Sequence, residues 1–405
     1  MTDQVDNWHK LARYDTNMQG ELHANLLRNN GITVSLQPLS AMPGMNSGIV
    51  LWIQDTDLAH AQRILANIDT DGATPYEMFD EMSEATLNPT LNSAKDNNGG
   101  EVQMCQLLGM NCNTPTDIGF SFAGFRRRGG MTDSHEDGFG IAFFERSECA
   151  NNDKTANAST GLRLFHDNHP SHLSPVADLV NNYPIKAMNV IAHIRKATQG
   201  QNCLANTHPF VREVWGEQWV FAHNGQMNSE FIKRCQRLQD NGNASHCQPV
   251  GNTDSEMAFC YLVNRLKSSF KTRPDDQTLF NFLTTQCRYL SANGLFNCLI
   301  SNGQWQLAYA GSLLFYLTRK APFGEAKLAD DDLAINFGDV TTDTDKVTIL
   351  VTVPLTENEK WQQLAVNECL IFQDGDVIYK DSPSQRKFLT IDEGIAVARA
   401  VGASV

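Results

Sequence analysis

Residues 98–110 read NGGEVQMCQLLGM, a Met-Cys pair leading straight into an apolar run about a hundred residues into a 405-residue chain. The text before it, ATLNPTLNSAKDNNGGEVQ, carries Asn, Ser, Gly and one Pro and has little to bury. Such a composition cannot offset the entropy of ordering and reads as a linker. The pair therefore sits at a domain boundary. We expect a small domain over residues 1–85, a linker over 86–104 and a large domain over 105–405.

Upstream, WHKLARYD reads as a strand and NMQGELHANLLRNNG as an amphipathic helix closed by Gly31. ITVSLQP and GIVLWIQ are two further strands, and DLAHAQRILANID is a second helix with Asp57 placed as its N-cap. TPYEMFDEMSEA adds a helix-like stretch. The β-α-β-β-α order predicts a small ferredoxin-like α+β unit. It resembles small signal-transducing domains related in shape to nitrogen-regulatory trimers. It shows no acid–base cluster, so a binding or packing module is expected, with a protein partner for residues 1–85 left open.

A net charge of −14 argues against a nucleic-acid groove and against an anionic membrane surface. No apolar run approaches the roughly 20 residues of a membrane-spanning helix. The polar N-terminus, MTDQVDNWHKLARYD, is no secretory signal. Ten cysteines without CxxC spacing favour reduced thiols in a cytoplasm.

A single cysteine among ten is more often an inert buried residue than a nucleophile. Position changes the reading of Cys105. With Met104 removed, it would carry a thiol and a free α-amine on one residue. An amine of pKa near 8 can take the thiol proton near neutral pH. Further segments then matter: GMTDSHEDGFGIAFFE at 130–145, AMNVIAHIRKATQG at 187–200, NTHPF at 206–210, WVFAHNGQM at 219–227 and GNTDSEMAFCYLV at 251–263. Each has a plain explanation. Asn224-Gly225 is a common turn dipeptide, Arg195 a surface charge, and Asp254 an N-cap with Met257, Phe259 and Leu262 on the core side. HDNHPSH spaces His166, His169 and His172 at i, i+3 and i+6, but Asn168 and Pro170 mark a loop. Solvated histidines are expected there rather than a metal site.

Taken jointly and in order, Met-Cys, DGFGIA, AHIRKATQG, NTHPF, HNG and TDSE resemble the class II glutamine amidotransferase domain, an N-terminal-nucleophile hydrolase. The resemblance spans about residues 104–380. MCQLLGMNCNTPTDI and YPIKAMNVIAHIRKATQG are most similar to standalone amidotransferase-like proteins, which include amidases acting on γ-glutamyl compounds. It implies a four-layer αββα sandwich with the nucleophile on the first strand, a small-molecule substrate and no cofactor or metal. Cys105 would attack the γ-carbonyl of glutamine or a γ-glutamyl amide, giving a thioester that water hydrolyses to glutamate. Asn224 and Gly225 would face the oxyanion, and Arg195 and Asp254 would take the α-carboxylate and α-ammonium. Thr198 and His208 would position the substrate. Lys196 stands where the family often has an aromatic residue, and Gln199 follows Thr198, which leaves room for another leaving group.

Residues 1–104 depart from the family pattern. While Met104 is attached, the Cys105 nitrogen is an amide without a basic lone pair. Three routes are open: cleavage after Met104, translation from Met104, or a fused chain that is a weak or inactive glutamine-binding regulator. The oligomeric state is not legible in the sequence.

Overall fold

The structure, a computed structural model, describes residues 8–14, 20, 23–24, 26–28, 30–38, 49–66, 105–132, 135–146, 160–196, 201–240 and 246–401. The expected linker, the TPYEMFDEMSEA stretch and Thr198 lie outside the described residues. The chain divides into two compact units, Met1–Asp96 and Asn97–Val405.

The first unit holds strands β1 (Trp8–Tyr14), β2 (Val34–Pro38) and β3 (Ile49–Gln54), followed by helix α1 (Leu58–Ala66). The strands pair antiparallel in the order β1-β3-β2. Residues 20, 23–24 and 26–28 are helical, and the helix closes on Gly31 as its sequence suggests. Gly31 takes φ +78°, its N–H donates to the Arg28 carbonyl at 3.0 Å, and the Ile32 N–H donates to that of Leu27 at 3.0 Å. This is the paired closing bond set of a helix ending in the left-handed region, which glycine enters without a Cβ penalty. Ile32 and Leu27 then share the unit's core with Leu51 and Ile53. A short 3-10 turn over Asp55–Asp57 leads into α1, so Asp57 stands immediately before its first residue, Leu58.

The second unit runs in order through β4 (Gln106–Asp117), α2 (Gly119–Arg127), β5 (Phe139–Arg146), β6 (Thr160–Asp167), α3 (Pro175–Asn182) and β7 (Lys186–Ile194). There follow β8 (Phe210–Val214), β9 (Glu217–Met227), α4 (Ser229–Asp240), α5 (Asp254–Ser269) and α6 (Asp276–Ser291). The chain continues with β10 (Gly294–Ser301), β11 (Gln306–Ala310), β12 (Phe315–Lys320) and a small ribbon of β13 (Glu325–Lys327) and β14 (Ala334–Asn336). It ends with β15 (Lys346–Val351), β16 (Gln362–Gln363), β17 (Glu368–Gln373), β18 (Asp376–Asp381) and α7 (Ile391–Ala400). The strands form a seven-stranded sheet in the order β16-β12-β15-β4-β7-β5-β6 and a six-stranded sheet in the order β18-β17-β11-β10-β9-β8.

The long apolar runs of the sequence are strands buried on both faces. In β4, Leu107 points to one cluster and Leu108 and Met110 to another; in β9, Val220 and Ala222 oppose Trp219 and Phe221 in the same way. One cluster joins Phe122, Phe125 and Val180 of α2 and α3 to the seven-stranded sheet. A second joins Phe259, Leu262 and Leu283 of α5 and α6 to the six-stranded sheet. The third joins side chains of the two sheets to each other, among them Leu107, Ala142, Ile191, Val220, Ala222 and Leu299. The fold is mixed α and β. Among the described residues no helix is long and apolar enough to cross a membrane.

Candidate active site

Register brings the first two candidates together. β4 pairs antiparallel with β7, with Gln106 opposite Ile194. Cys105, one residue before β4, therefore lies beside Arg195, one residue after β7. The Lys196 N–H donates to the Cys105 Sγ at 3.3 Å. Cys105 is half-buried. Burial pushes its thiol up to about 11, against the Lys196 backbone hydrogen bond and the Arg195 and Lys196 charges, which favour the thiolate. A thiol in that state needs a base.

Arg195 is buried, not the surface charge that its sequence context allows. One of its Nη atoms donates to the Gln201 carbonyl at 3.3 Å, and its backbone N–H donates to the Gly138 carbonyl at 2.8 Å. Its charge acts on the Cys105 thiol from the neighbouring strand end.

The second sheet supplies the other wall. Asn224 and Gly225 lie inside β9, paired with Asn297 and Phe296 of β10, so the Asn-Gly turn suggested by the dipeptide does not form. Tertiary pairing overrides the local signal. Gly225 holds φ +146°, and a Cβ on it would fall 2.0 Å from the Leu295 carbonyl oxygen. Only glycine fits. The Asn224 side-chain amide donates to the Cys105 carbonyl and, at 3.3 Å, to Thr352 Oγ1. Thr352 Oγ1 in turn accepts from the Leu107 N–H at 3.0 Å. The Asn224 amide nitrogen thus bridges Cys105 and Thr352.

Asp254 is the first residue of α5, where the helix N-terminus favours a carboxylate. The N-cap itself is Thr253, which accepts from the Glu256 N–H at 3.2 Å. Asp254 accepts from the Met227 N–H at 2.6 Å and the Ser255 N–H at 2.9 Å, one on each oxygen. That leaves acceptor capacity for an ammonium. Met227 closes β9, so one strand carries Asn224 and Gly225 and also anchors Asp254. His223 joins the same wiring: one ring nitrogen meets Ser255 Oγ at 2.8 Å and the other the Leu295 carbonyl at 3.1 Å.

His208 is buried, its ring stacked 4.3 Å from that of His193 and 4.4 Å from that of Phe210. Burial holds both imidazoles well below their ordinary value, and His223 and the Arg195 charge push the same way. They are neutral at pH 7. Thr198 lies outside the described residues.

Sequence reading missed three contributors. Thr352 and the Lys196 backbone N–H touch the nucleophile's strand from 245 and 91 residues away in sequence, and no local pattern signals either. Arg128, buried, donates to the Val353 carbonyl at 2.9 Å, the Pro354 carbonyl at 2.7 Å and Gln106 Oε1 at 3.3 Å, and pairs with Asp330 at 2.7 Å. It ties the start of β4 to the segment after Thr352. Of the three loop-like histidines, His166 is inside β6 and half-buried, a correction to the loop reading. His166, His169 and His172 reach three separate partners: the Pro209 carbonyl, Asp167 and the Gly129 carbonyl.

Residues 104–393 match the family of class-II glutamine amidotransferases, and the chain belongs to that family. A Haemophilus influenzae protein named "Putative glutamine amidotransferase" is 45% identical over 302 residues, covering 75% of this chain and 95% of that protein. The Escherichia coli "Putative glutamine amidotransferase YafJ" is 43% identical over 274 residues, covering 67% of this chain and 99% of its own. A solved Pseudomonas aeruginosa structure described as a "predicted glutamine amidotransferase" is 37% identical, with a TM-score of 0.51 over 68% of this chain and 100% of that one.

Proposed function

We propose that the chain is a cysteine-dependent amidohydrolase that cleaves the γ-amide of glutamine or of a γ-glutamyl compound. The observation that carries this reading is that Cys105, at the start of β4, meets the Arg195 charge from the end of β7 and the Asn224 amide from within β9. The Cys105 sulfur attacks the γ-carbonyl while its own α-amine, freed from Met104, takes the proton through a water. The oxyanion is received by the Gly225 N–H and by the Asn224 amide, which releases the Cys105 carbonyl or Thr352. Losing one such donor usually costs about 10²–10³ in rate. Ammonia departs, and water hydrolyses the thioester to glutamate. Arg195 pairs with the α-carboxylate and Asp254 with the α-ammonium, so a free glutamyl head group is selected. His208 and Thr198 complete the positioning, His208 as a neutral ring beneath Arg195.

The three core clusters support an αββα four-layer sandwich for the second unit, and the β1-β3-β2 order supports a ferredoxin-like first unit that offers a partner surface. The uncleaved chain favours the second reading, a glutamine-binding regulator. Its thiol is held up near 11 and its Asn224 donors are occupied. Purified protein screened against glutamine, glutathione and other γ-glutamyl compounds tests the enzyme reading. Glutamate release is expected from the wild type and none from Cys105→Ala, which should still bind substrate. Equal release from both would refute it.

A further inference from the structure

The Cys105 site does not use the Cys260 thiol of α5 or the Cys247 thiol of the segment before it. Glu256, Cys260 and Asn264 stand four residues apart on that helix and form one stripe. The segment 247–251 lies along it. The Cys247 N–H donates to Asn264 Oδ1 at 2.8 Å, and Asn264 Nδ2 donates back to the Cys247 carbonyl at 2.9 Å. The Val250 and Gly251 N–H groups donate to the two Glu256 oxygens at 2.9 and 2.7 Å. Pinned at both ends, the segment holds Cys247 beside Cys260, near enough for each thiol to bear on the other's ionisation. One guanidinium serves both: Arg212 Nε lies 3.2 Å from the Cys247 sulfur, and an Arg212 Nη lies 3.8 Å from that of Cys260.

We propose that Cys247 and Cys260 form a peroxide-sensitive dithiol that closes to an intramolecular disulfide. Hydrogen bonding from Cys260 and the Arg212 charge draw the Cys247 thiol below its ordinary value, which makes it the attacking sulfur. Its thiolate attacks one peroxide oxygen, breaking the O–O bond and giving a sulfenic acid and hydroxide. The Cys260 sulfur then attacks the sulfenic sulfur. The S–S bond forms, the S–O bond breaks, and the second water leaves with the Cys260 proton. Two thiols lose two electrons to one peroxide, which becomes two waters. Cys287 and Cys298 are 0% exposed, against 6% and 3% for Cys247 and Cys260, and burial beside Cys298 pushes the Cys287 thiol well up; they are the internal control.

A strap of hydrogen bonds runs from this segment to the site. The Asn252 N–H donates to Asn206 Oδ1 at 2.9 Å, Asn206 Nδ2 donates to the Gln201 carbonyl at 2.9 Å, and Arg195 donates to that same carbonyl. Closing the disulfide draws on the strap, so the oxidised chain should show a raised KM for glutamine with kcat held. That consequence rests on the amidase reading; the linkage does not.

The linkage is therefore read by mass. No Lys or Arg lies between Arg237 and Arg265, so trypsin leaves both cysteines on one peptide, and cleavage after Glu256 separates them. After hydrogen peroxide treatment and alkylation of remaining thiols, the expected product is a 238–256 peptide linked to a 257–265 peptide, lost on reduction. Cys287 and Cys298 should stay alkylatable once the chain is unfolded. In Cys260→Ser the sulfenic acid cannot be resolved, so dimedone should label Cys247. Unlinked peptides in the wild type, or linkage only through Cys105 or Cys203, would overturn the proposal, whatever the activity. A linked wild type in which KM does not change, with Cys247→Ser behaving alike, would overturn the effect on the site.

Discussion

Three glycines make a graded test of the site's geometry. At Gly225, an alanine Cβ would sit 2.0 Å from the Leu295 carbonyl oxygen, 2.7 Å from its carbon and 3.0 Å from His223 Nε2. Ordinary contact needs the carbonyl to retreat by more than about 1 Å, and backbone in a paired strand does not swing aside as a side-chain tip does. That carbonyl also accepts the His223 hydrogen bond. The φ of +146° adds conformational strain of roughly 1–3 kcal/mol, overpacking a further 1–3 kcal/mol, and the weakened hydrogen bond about 1 kcal/mol. Gly225→Ala should therefore lose about 3–7 kcal/mol. Gly216 has φ +82° with nothing near its Cβ position, so Gly216→Ala carries the strain alone, about 1–2 kcal/mol. Gly161 has neither strain nor neighbour, and Gly161→Ala should be neutral or slightly stabilising. Urea unfolding of the three variants gives the ranking, and the gap between Gly225→Ala and Gly216→Ala isolates the clash. Equal losses at 225 and 216 would mean that the Leu295 carbonyl does not press on Gly225, and the oxyanion wall as described would be wrong.

Arg128→Ala leaves Asp330 and two carbonyls without their buried cation, and should cost about 3–5 kcal/mol in chemical denaturation; a loss under about 1 kcal/mol would sink the assignment. His193 and His208 are held neutral in the fold while unfolded histidine protonates near pH 6.5. The unfolded state then binds more protons, so stability should fall as pH drops through about 6.5, by up to about 1.4 kcal/mol per pH unit for each ring. A urea midpoint unchanged between pH 7.5 and 5.5 would contradict this. Arg195→Lys keeps the charge but loses the planar fork, and should raise KM for glutamine steeply with kcat little changed; an unchanged KM removes Arg195 from the carboxylate.

How far the sequence carries differs by scale. The runs QLLGM, NVIAHI and WVFAHN read directly as strands because both of their faces are buried, and periodicity needs no partner to be visible. The closure of a helix on Gly31 is equally local. Asn224-Gly225 is legible as a pair of functional residue types but not as strand, because its conformation is set by Phe296 and Asn297, some 70 residues on. Thr352, Arg128 and the Lys196 N–H escape for the same reason. They act through atoms that meet only once the β15-β4-β7 register exists. Motif order singles out Cys105, Arg195, Asn224 and Asp254; the groups that hold them are a property of the pairing.

The same separation between pocket and reactivity bears on residues 1–104. Arg195, Asp254 and the β9 wall owe nothing to the state of the Cys105 nitrogen, so the grip on a glutamyl group should be alike in a full-length chain and in one beginning at Cys105. Proton removal should not be. A thiol near 11 is ionised to about one part in 10⁴ at pH 7, and an amide nitrogen cannot help it. A free α-amine with pKa near 8 is about one-tenth basic at the same pH, and a positioned base is worth roughly 10²–10⁴ in rate. The chain starting at Cys105 should therefore exceed the full-length chain by that factor in kcat, with KM nearly shared. The comparison requires intact mass on both samples, since a few per cent of cleaved material would mimic activity in the longer one. A verified full-length chain turning over within tenfold of the shorter would show that some other group deprotonates Cys105, and the amine would lose its role.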